Sequence, residues 1–178
     1  MDAARYEAAP TFSEYLETVE KNRELWHGVY ERVRLPEDLV ALARGCEGTW
    51  RLLALTADWC GDAVNTLPVM ARFAEAVEWD LRVLDRDENP DVMDAHLTDG
   101  HSRSIPVVIV YDEDFGEVGW WGPRPAALQK WVLREGRALT KEERYKKLRW
   151  WYARDRGRTA VAELMDMFCE RLAGQHAG

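Results

Sequence analysis

The run Arg51-Leu52-Leu53-Ala54-Leu55-Thr56 has no polar side chain between its two ends and is bounded by turn signals, Gly45-Cys46-Glu47-Gly48 before it and Asp58-Trp59-Cys60-Gly61 after it. A strand with one wet face alternates apolar and polar residues, whereas a continuous apolar run suits a strand covered on both faces. The chain therefore has to supply cover for both sides of a sheet. The pattern that follows does so. A helical periodicity from about Cys60 to Val77 carries Pro68, whose missing amide predicts a kink. Leu81-Arg82-Val83-Leu84 reads as a second strand, and Asn89-Pro90 opens a helix to about Leu97. A polar loop, Thr98 to Ser104, leads to two further strands, Pro106 to Tyr111 and Glu117 to Trp121. The Asp112-Glu113-Asp114-Phe115-Gly116 turn between them predicts an antiparallel hairpin. Pro125 then starts a helix that reaches about Glu135. The order β-α-β-α-β-β-α predicts a mixed sheet with helices on its faces.

Helices flank this core. Phe12, Tyr15, Leu16, Val19, Trp26, Val29, Tyr30 and Val33 recur at helical spacing behind a Thr11-Phe12-Ser13-Glu14 capping box, which predicts one amphipathic helix from Thr11 to about Val33. Pro36 opens a shorter helix through about Arg44. At the other end, Tyr145, Leu148, Trp151 and Tyr152 share a helical face. Val161, Leu164, Met165, Phe168, Cys169 and Leu172 form a second apolar stripe. The expected organisation is a single domain over 1–178: an N-terminal helical extension (1–49), the core (50–135) and a C-terminal helical extension (136–178).

The 178 residues carry 32 acidic and 24 basic side chains, a formal charge of −8, which argues against general binding to nucleic acid or an anionic membrane. The start lacks a basic-then-apolar signal pattern, and no stretch reaches the roughly 18 apolar residues of a membrane span. A cytoplasmic location is expected. Cys46, Cys60 and Cys169 have no metal-ligand spacing, and an odd count leaves at least one free thiol.

Chemistry concentrates where the buried strand turns into a helix, at Thr56-Ala57-Asp58-Trp59-Cys60-Gly61-Asp62-Ala63, with Ser104-Ile105-Pro106 just before the next long apolar strand. The segment resembles the thioredoxin family. The matching landmarks are Trp59-Cys60-Gly61 after the strand, Pro68 eight residues past the cysteine, and Leu84 to Pro90 after the next strand. Ile105-Pro106 and the Gly116-containing hairpin complete them. The resemblance covers about Trp50 to Glu135. It implies a thioredoxin-like α/β three-layer sandwich with a cis Ile105-Pro106 bond facing Cys60, and Ile105 backbone able to pair with an extended substrate. A cysteine at a helix N-terminus faces unpaired amides and the positive end of the dipole, which predicts a reactive Cys60. Asp58 and Asp62 oppose its ionisation, so only a modest lowering of its pKa is expected. Asp62 is expected to serve the helix dipole rather than proton transfer. Trp59 and Pro106 should line a flat groove, with Gly61, Asp62 and Ile105 also contacting substrate.

Departures from the family bear on activity. Thioredoxins use Cys-x-x-Cys, and Ala63 stands where the resolving cysteine would be, by natural loss or by a replacement that traps a mixed disulfide. The family's acid on the strand before the nucleophile and its lysine on the next strand correspond to Ala54 and Val83. The leading expectation is a monothiol thiol–disulfide oxidoreductase acting on protein disulfides, with Cys60 released by a low-molecular-weight thiol. The alternative is a non-catalytic thioredoxin-fold interaction module. No metal or nucleotide cofactor is implied, and Asp62-Ala63 differs from the Cys-Gly-x-Ser of cluster-holding monothiol glutaredoxins.

Other candidates have plainer readings. Cys46 is expected to lie a strand's length, roughly 20 Å, from the site. Cys169 on its apolar stripe should be buried. His101 reads as a surface loop histidine rather than a base or ligand. Eight basic and three acidic residues from Lys141 to Arg158 surround Tyr145, Trp150, Trp151 and Tyr152. That face is expected to pack on the domain, with an acidic protein partner as the alternative and no nucleic acid.

Overall fold

The structure is a computed structural model that describes the backbone of residues 1–175 and the side chains of residues 1–169. Four strands form one mixed sheet, β1 (Arg51–Thr56), β2 (Asp80–Asp85), β3 (Val107–Tyr111) and β4 (Glu117–Trp121), in the order β2-β1-β3-β4. β1 runs parallel to β2 and antiparallel to β3, and β3 and β4 form the expected antiparallel hairpin. The central position of β1 explains its composition: Leu52, Leu53, Ala54 and Leu55 are fully buried.

The N-terminal segment holds α1 (Ala3–Ala8), α2 (Phe12–Thr18), α3 (Arg23–Arg32) and α4 (Glu37–Arg44). α1 has no counterpart in the sequence reading, because a six-residue Ala-rich stretch shows little periodicity. It is fixed by Tyr6, a buried side chain whose hydroxyl donates to the carbonyls of Leu52 and Asp80. The chain then runs along the outer edge of β2, where Val83 N–H donates to Pro10 C=O, so this edge is not left bare.

The single helix expected from Thr11 to Val33 is two helices. The Thr11 capping box starts α2 as read, but the chain breaks at 19–22, where Asn22 takes a left-handed conformation (φ 57°). The Asp58 carboxylate accepts hydrogen bonds from the Glu20 and Lys21 amides at 3.2 and 2.8 Å. Those amides bond outside the helix ladder, so the break is satisfied by a residue 37 or more positions away in sequence.

After β1 come α5 (Ala63–Ala76), which continues through Pro68, and α6 (Pro90–Ala95). α7 (Ala126–Leu133), α8 (Lys141–Asp155) and α9 (Arg158–Gln175) complete the chain. α3 and α9 both pack on α5, and α9 also packs on β4. Phe168 of α9 sits edge-on to Trp50 at 4.9 Å and against Trp79 at 4.5 Å, anchoring the C-terminal extension to the main core. Cys169, expected to be buried, is exposed: at about 100° per residue it turns away from the face centred on Val161, Leu164 and Phe168. Leu172, the last residue assigned to that stripe, lies outside the described side chains. No described helix is long and apolar enough to cross a membrane.

Candidate functional site

β1 ends at Thr56, and the chain turns tightly so that Cys60 N–H bonds Ala57 C=O at 3.0 Å. α5 begins at Ala63, three residues later than the periodicity suggested, which leaves Cys60 in the turn ahead of the helix. Its sulfur lies between two backbone groups. The Ala63 N–H donates to Sγ at 3.4 Å, and the thiol donates to Ile105 C=O at 3.4 Å. The Ile105-Pro106 bond is cis. The helix-terminal donor that the sequence called for is therefore present, as the amide of the residue that replaces a second cysteine.

Its effect on the thiol is outweighed. Cys60 is only 6% exposed, and burial pushes the thiol up from its ordinary value. The Ala63 N–H pulls down, the Asp62 carboxylate adds to the rise and Arg124 opposes it. The modest lowering expected from the helix terminus is thus overturned by desolvation, which a sequence does not display.

The two flanking acids separate in role. Asp58 is a structural pin: besides holding the Glu20 and Lys21 amides, its carbonyl accepts from Trp26 Nε1 at 2.9 Å and Asn22 Nδ2 at 3.2 Å. Asp62 stands at the N-cap of α5, at the positive end of the dipole, but its side chain makes no bond to the amides of that helix. Its Oδ2 pairs with Arg124 Nη2 at 2.5 Å, and its Oδ1 accepts from the Tyr152 hydroxyl at 2.8 Å. Burial and the Asp62 charge hold that hydroxyl strongly in its neutral form. Asp62 therefore fastens α8 and the loop after β4 over the entrance to α5.

That loop depends on one glycine. Gly122 has φ 138° and precedes a cis bond to Pro123. A Cβ on Gly122 would stand 2.1 Å from the Pro106 carbonyl oxygen, so no side chain fits where the loop passes the cis-proline.

A cleft of about 530 Å³ opens above the sulfur. Trp59, Gly61, Asp62 and Ile105 line it, joining four of the expected site residues. Pro106 is buried and stands outside the lining, so the flat groove between Trp59 and Pro106 is replaced by a walled one. Trp59 is 45% exposed, and the Arg86 guanidinium lies 5.0 Å from its ring centre. The far wall is α8, which presents Tyr145, Leu148, Arg149 and Tyr152 at helical spacing. The face assigned to Tyr145, Leu148, Trp151 and Tyr152 packs on the domain as expected through Leu148, Trp151 and Tyr152, which cluster with Leu128 and Trp131, and Tyr145, Leu148 and Tyr152 also form this wall. Gly61 is not demanded by space, since a Cβ there would meet nothing within 4 Å.

Ala54 and Val83 are register partners in the β1–β2 pair and both are buried, so the strand beneath the site carries apolar groups at both positions. His101 is an exposed loop residue outside the cleft, its Nδ1 facing the Asp99 carbonyl. Cys46 and Cys169 are absent from the cleft lining, and burial raises the Cys46 thiol. Among the described residues no cluster of three or more His, Cys, Asp or Glu side chains is placed to hold a metal. The sequence reading missed Arg124, which reaches Asp62 from a loop, and gave no site role to Arg86, Arg103 or Arg149.

A family model described as thioredoxin matches residues 9–146, extending beyond the core on both sides. A protein of unknown function from Pseudomonas aeruginosa, known from a crystal structure, is similar over 94% of this chain and 96% of its own, with a TM-score of 0.74 at 20% identity. An HIV epitope-scaffold is similar over 94% of this chain and 97% of its own, with a TM-score of 0.73 at 16% identity. At these identities the likeness establishes the fold, a thioredoxin-like α/β sandwich with terminal helices, and no activity. No curated protein shows a match to the chain. With the family model spanning more than half of its length and the strand–cysteine–helix turn set against Ile105-Pro106, the chain belongs to the thioredoxin family.

Proposed function

We propose that the chain is a monothiol thiol–disulfide oxidoreductase acting through Cys60. One observation carries the reading: a solvent-open cleft leads to the Cys60 sulfur, which already has an amide donor from Ala63 on one side. In the resting state the thiol gives its hydrogen bond to Ile105 C=O. After that proton leaves to solvent, the Ala63 N–H remains to stabilise the thiolate. The thiolate attacks one sulfur of a partner's disulfide. A bond forms between Cys60 and that sulfur as the original S–S bond breaks, and the departing sulfur leaves as a thiolate that takes a proton from water. The neighbouring helical position is Ala63, so the chain offers no adjacent thiol to resolve the mixed disulfide. An external low-molecular-weight thiol attacks the partner's sulfur, forms a new disulfide with it and returns Cys60 to its reduced state. Trp59, Gly61, Asp62 and Ile105 border the path of approach, and Pro106 shapes the backbone behind it.

A second reading, a non-catalytic interaction module, is favoured by the burial that holds the Cys60 thiol up. Reduction of a protein disulfide in the presence of a small thiol discriminates between the two. The exchange reading expects turnover that rises with pH and vanishes in Cys60→Ser. Turnover that survives Cys60→Ser refutes exchange at Cys60, and no turnover at all leaves the module reading.

A further inference from the structure

The cleft above Cys60 adjoins a second concavity of about 890 Å³ between α3, α5 and α8, and Leu25, Asn65, Arg149 and Tyr152 border both. Arg32, Arg34, Arg149 and Arg156 line this extension, with Glu31 as its acid. Among the described residues, none of these four guanidinium groups is in an ion pair, whereas Arg86, Arg103, Arg124 and Arg158 each sit against an aspartate. Arg32 has space made for it: a Cβ on Gly28 would lie 2.5 Å from Arg32 Nη2, so the bare glycine lets the guanidinium fold back over α3 inside the groove. Four cations without an ion pair among the described residues gather in one concavity on a chain whose net charge is −8. They create a local positive field that attracts anions to the mouth of the Cys60 cleft.

Resting on the exchange reading above, we propose that this groove docks an acidic, extended segment of a protein partner and presents its disulfide to Cys60. Charge complementarity selects the occupant. Extent separates a chain segment from a small anion: two cavities of about 530 and 890 Å³ border one another, and the cations run from Arg149 beside the cleft to Arg34 beyond the end of α3. A nucleic acid is the poorer fit, because a long polyanion reaching beyond the groove meets a chain of net charge −8. Leu25, Val29 and Val69 along the floor supply apolar contact for the segment's stem atoms.

The test uses the full chain carrying Cys60→Ser and a fluorescein-labelled oligoglutamate without cysteine, read by anisotropy beside oligoglutamine of the same length. Oligoglutamate should bind, weaken as salt is added, and lose roughly tenfold in affinity when Arg32, Arg34 and Arg156 are all changed to Gln, the effect of removing three partly screened charges. Arg149→Gln, at an exposed helix position, gives an independent reading if the triple variant folds poorly, and Arg137→Gln serves as a distant control. Equal binding of the two peptides, or no loss in either variant, overturns the proposal. So does displacement of oligoglutamate by an equal concentration of glutathione, which would assign the groove to a small anion, or tighter binding of a single-stranded oligonucleotide. A final arm joins each peptide through a cysteine to thionitrobenzoate and follows its release by the wild-type chain. Faster release from the acidic peptide supports the proposal. Equal release refutes the acidic segment and leaves the exchange chemistry standing, whereas binding without release refutes the exchange chemistry and leaves the docking groove.

Discussion

Replacing Asp62 with alanine removes both fastenings between α8, the loop after β4 and the start of α5. The Asp62 and Arg124 side chains are 13% and 21% exposed. Breaking a fully buried ion pair from one side costs about 3–5 kcal/mol, and partial solvent access brings this one down to about 2 kcal/mol. The Tyr152 hydroxyl, left without its acceptor, adds about 1 kcal/mol. A loss of about 3 kcal/mol corresponds to a fall in Tm of roughly 6–12 °C for a chain of this size. Asp62→Asn keeps an acceptor for Tyr152 and should cost about 2 kcal/mol, Tyr152→Phe about 1 kcal/mol, and the Asp62→Ala/Tyr152→Phe double variant less than the sum of its parts. The thiol should respond in the opposite sense. The Asp62 carboxylate raises the Cys60 thiol, so both Asp62 variants should lower its apparent pKa and speed its alkylation at neutral pH while weakening the fold. Urea unfolding gives the first quantity, and iodoacetamide labelling across a pH series, read by mass spectrometry, gives the second. An Asp62→Ala chain that loses less than about 1 kcal/mol, or whose Cys60 reacts more slowly than wild type, refutes the fastening argument.

Three further outcomes follow from the same structure. Gly122→Ala forces a Cβ to within 2.1 Å of the Pro106 carbonyl at φ 138°, and thermal unfolding should register a loss of about 3 kcal/mol, against a negligible change for Gly61→Ala. Ion pairs with Arg158 and Arg5 hold Asp38 and Asp91 down to about 2, below their unfolded value of about 3.9. Their contribution is present above about pH 4 and lost as pH falls toward 2, so neutralising Arg5 and Arg158 should flatten the acid limb of a stability–pH curve. In a labelling time course at neutral pH, exposed Cys169 should react well before buried Cys60, and the reverse order would show that Cys60 is more accessible than the structure has it.

The core was legible where local pattern and tertiary demand coincide. The β1 run, the hairpin around Asp112 to Gly116 and the capping box at Thr11 each carry their instruction within a few neighbouring residues. The misses share a physical cause, since each depends on a contact distant in sequence. The break between α2 and α3 exists because Asp58 collects the Glu20 and Lys21 amides, and no feature of residues 19–22 alone announces a carboxylate from the site turn. Asp62 read as a helix-dipole acid because that role is local, and its hydrogen-bonding partners, Arg124 and Tyr152, lie 62 and 90 positions on. The Cys60 thiol was misjudged in sign for a related reason: the helix terminus is visible in sequence, whereas the burial that raises the thiol is built by segments distant in sequence, Ile105 among them. Cys169 was assigned to a stripe by spacing alone, whereas the face of α9 that packs is set by Trp50 and Trp79, which receive Phe168 and leave its neighbour exposed.

The central claim is that Cys60 exchanges with a partner's disulfide and, lacking a neighbouring thiol, waits for an external one. Incubating the reduced chain with a protein disulfide, quenching in acid and mapping adducts by mass spectrometry tests it most directly. The account predicts a mixed disulfide at Cys60 that builds up with time, forms faster as pH rises, is absent in Cys60→Ser and disappears when a small thiol is added. Adducts confined to Cys169 and Cys46, with Cys60 unmodified throughout, would contradict it.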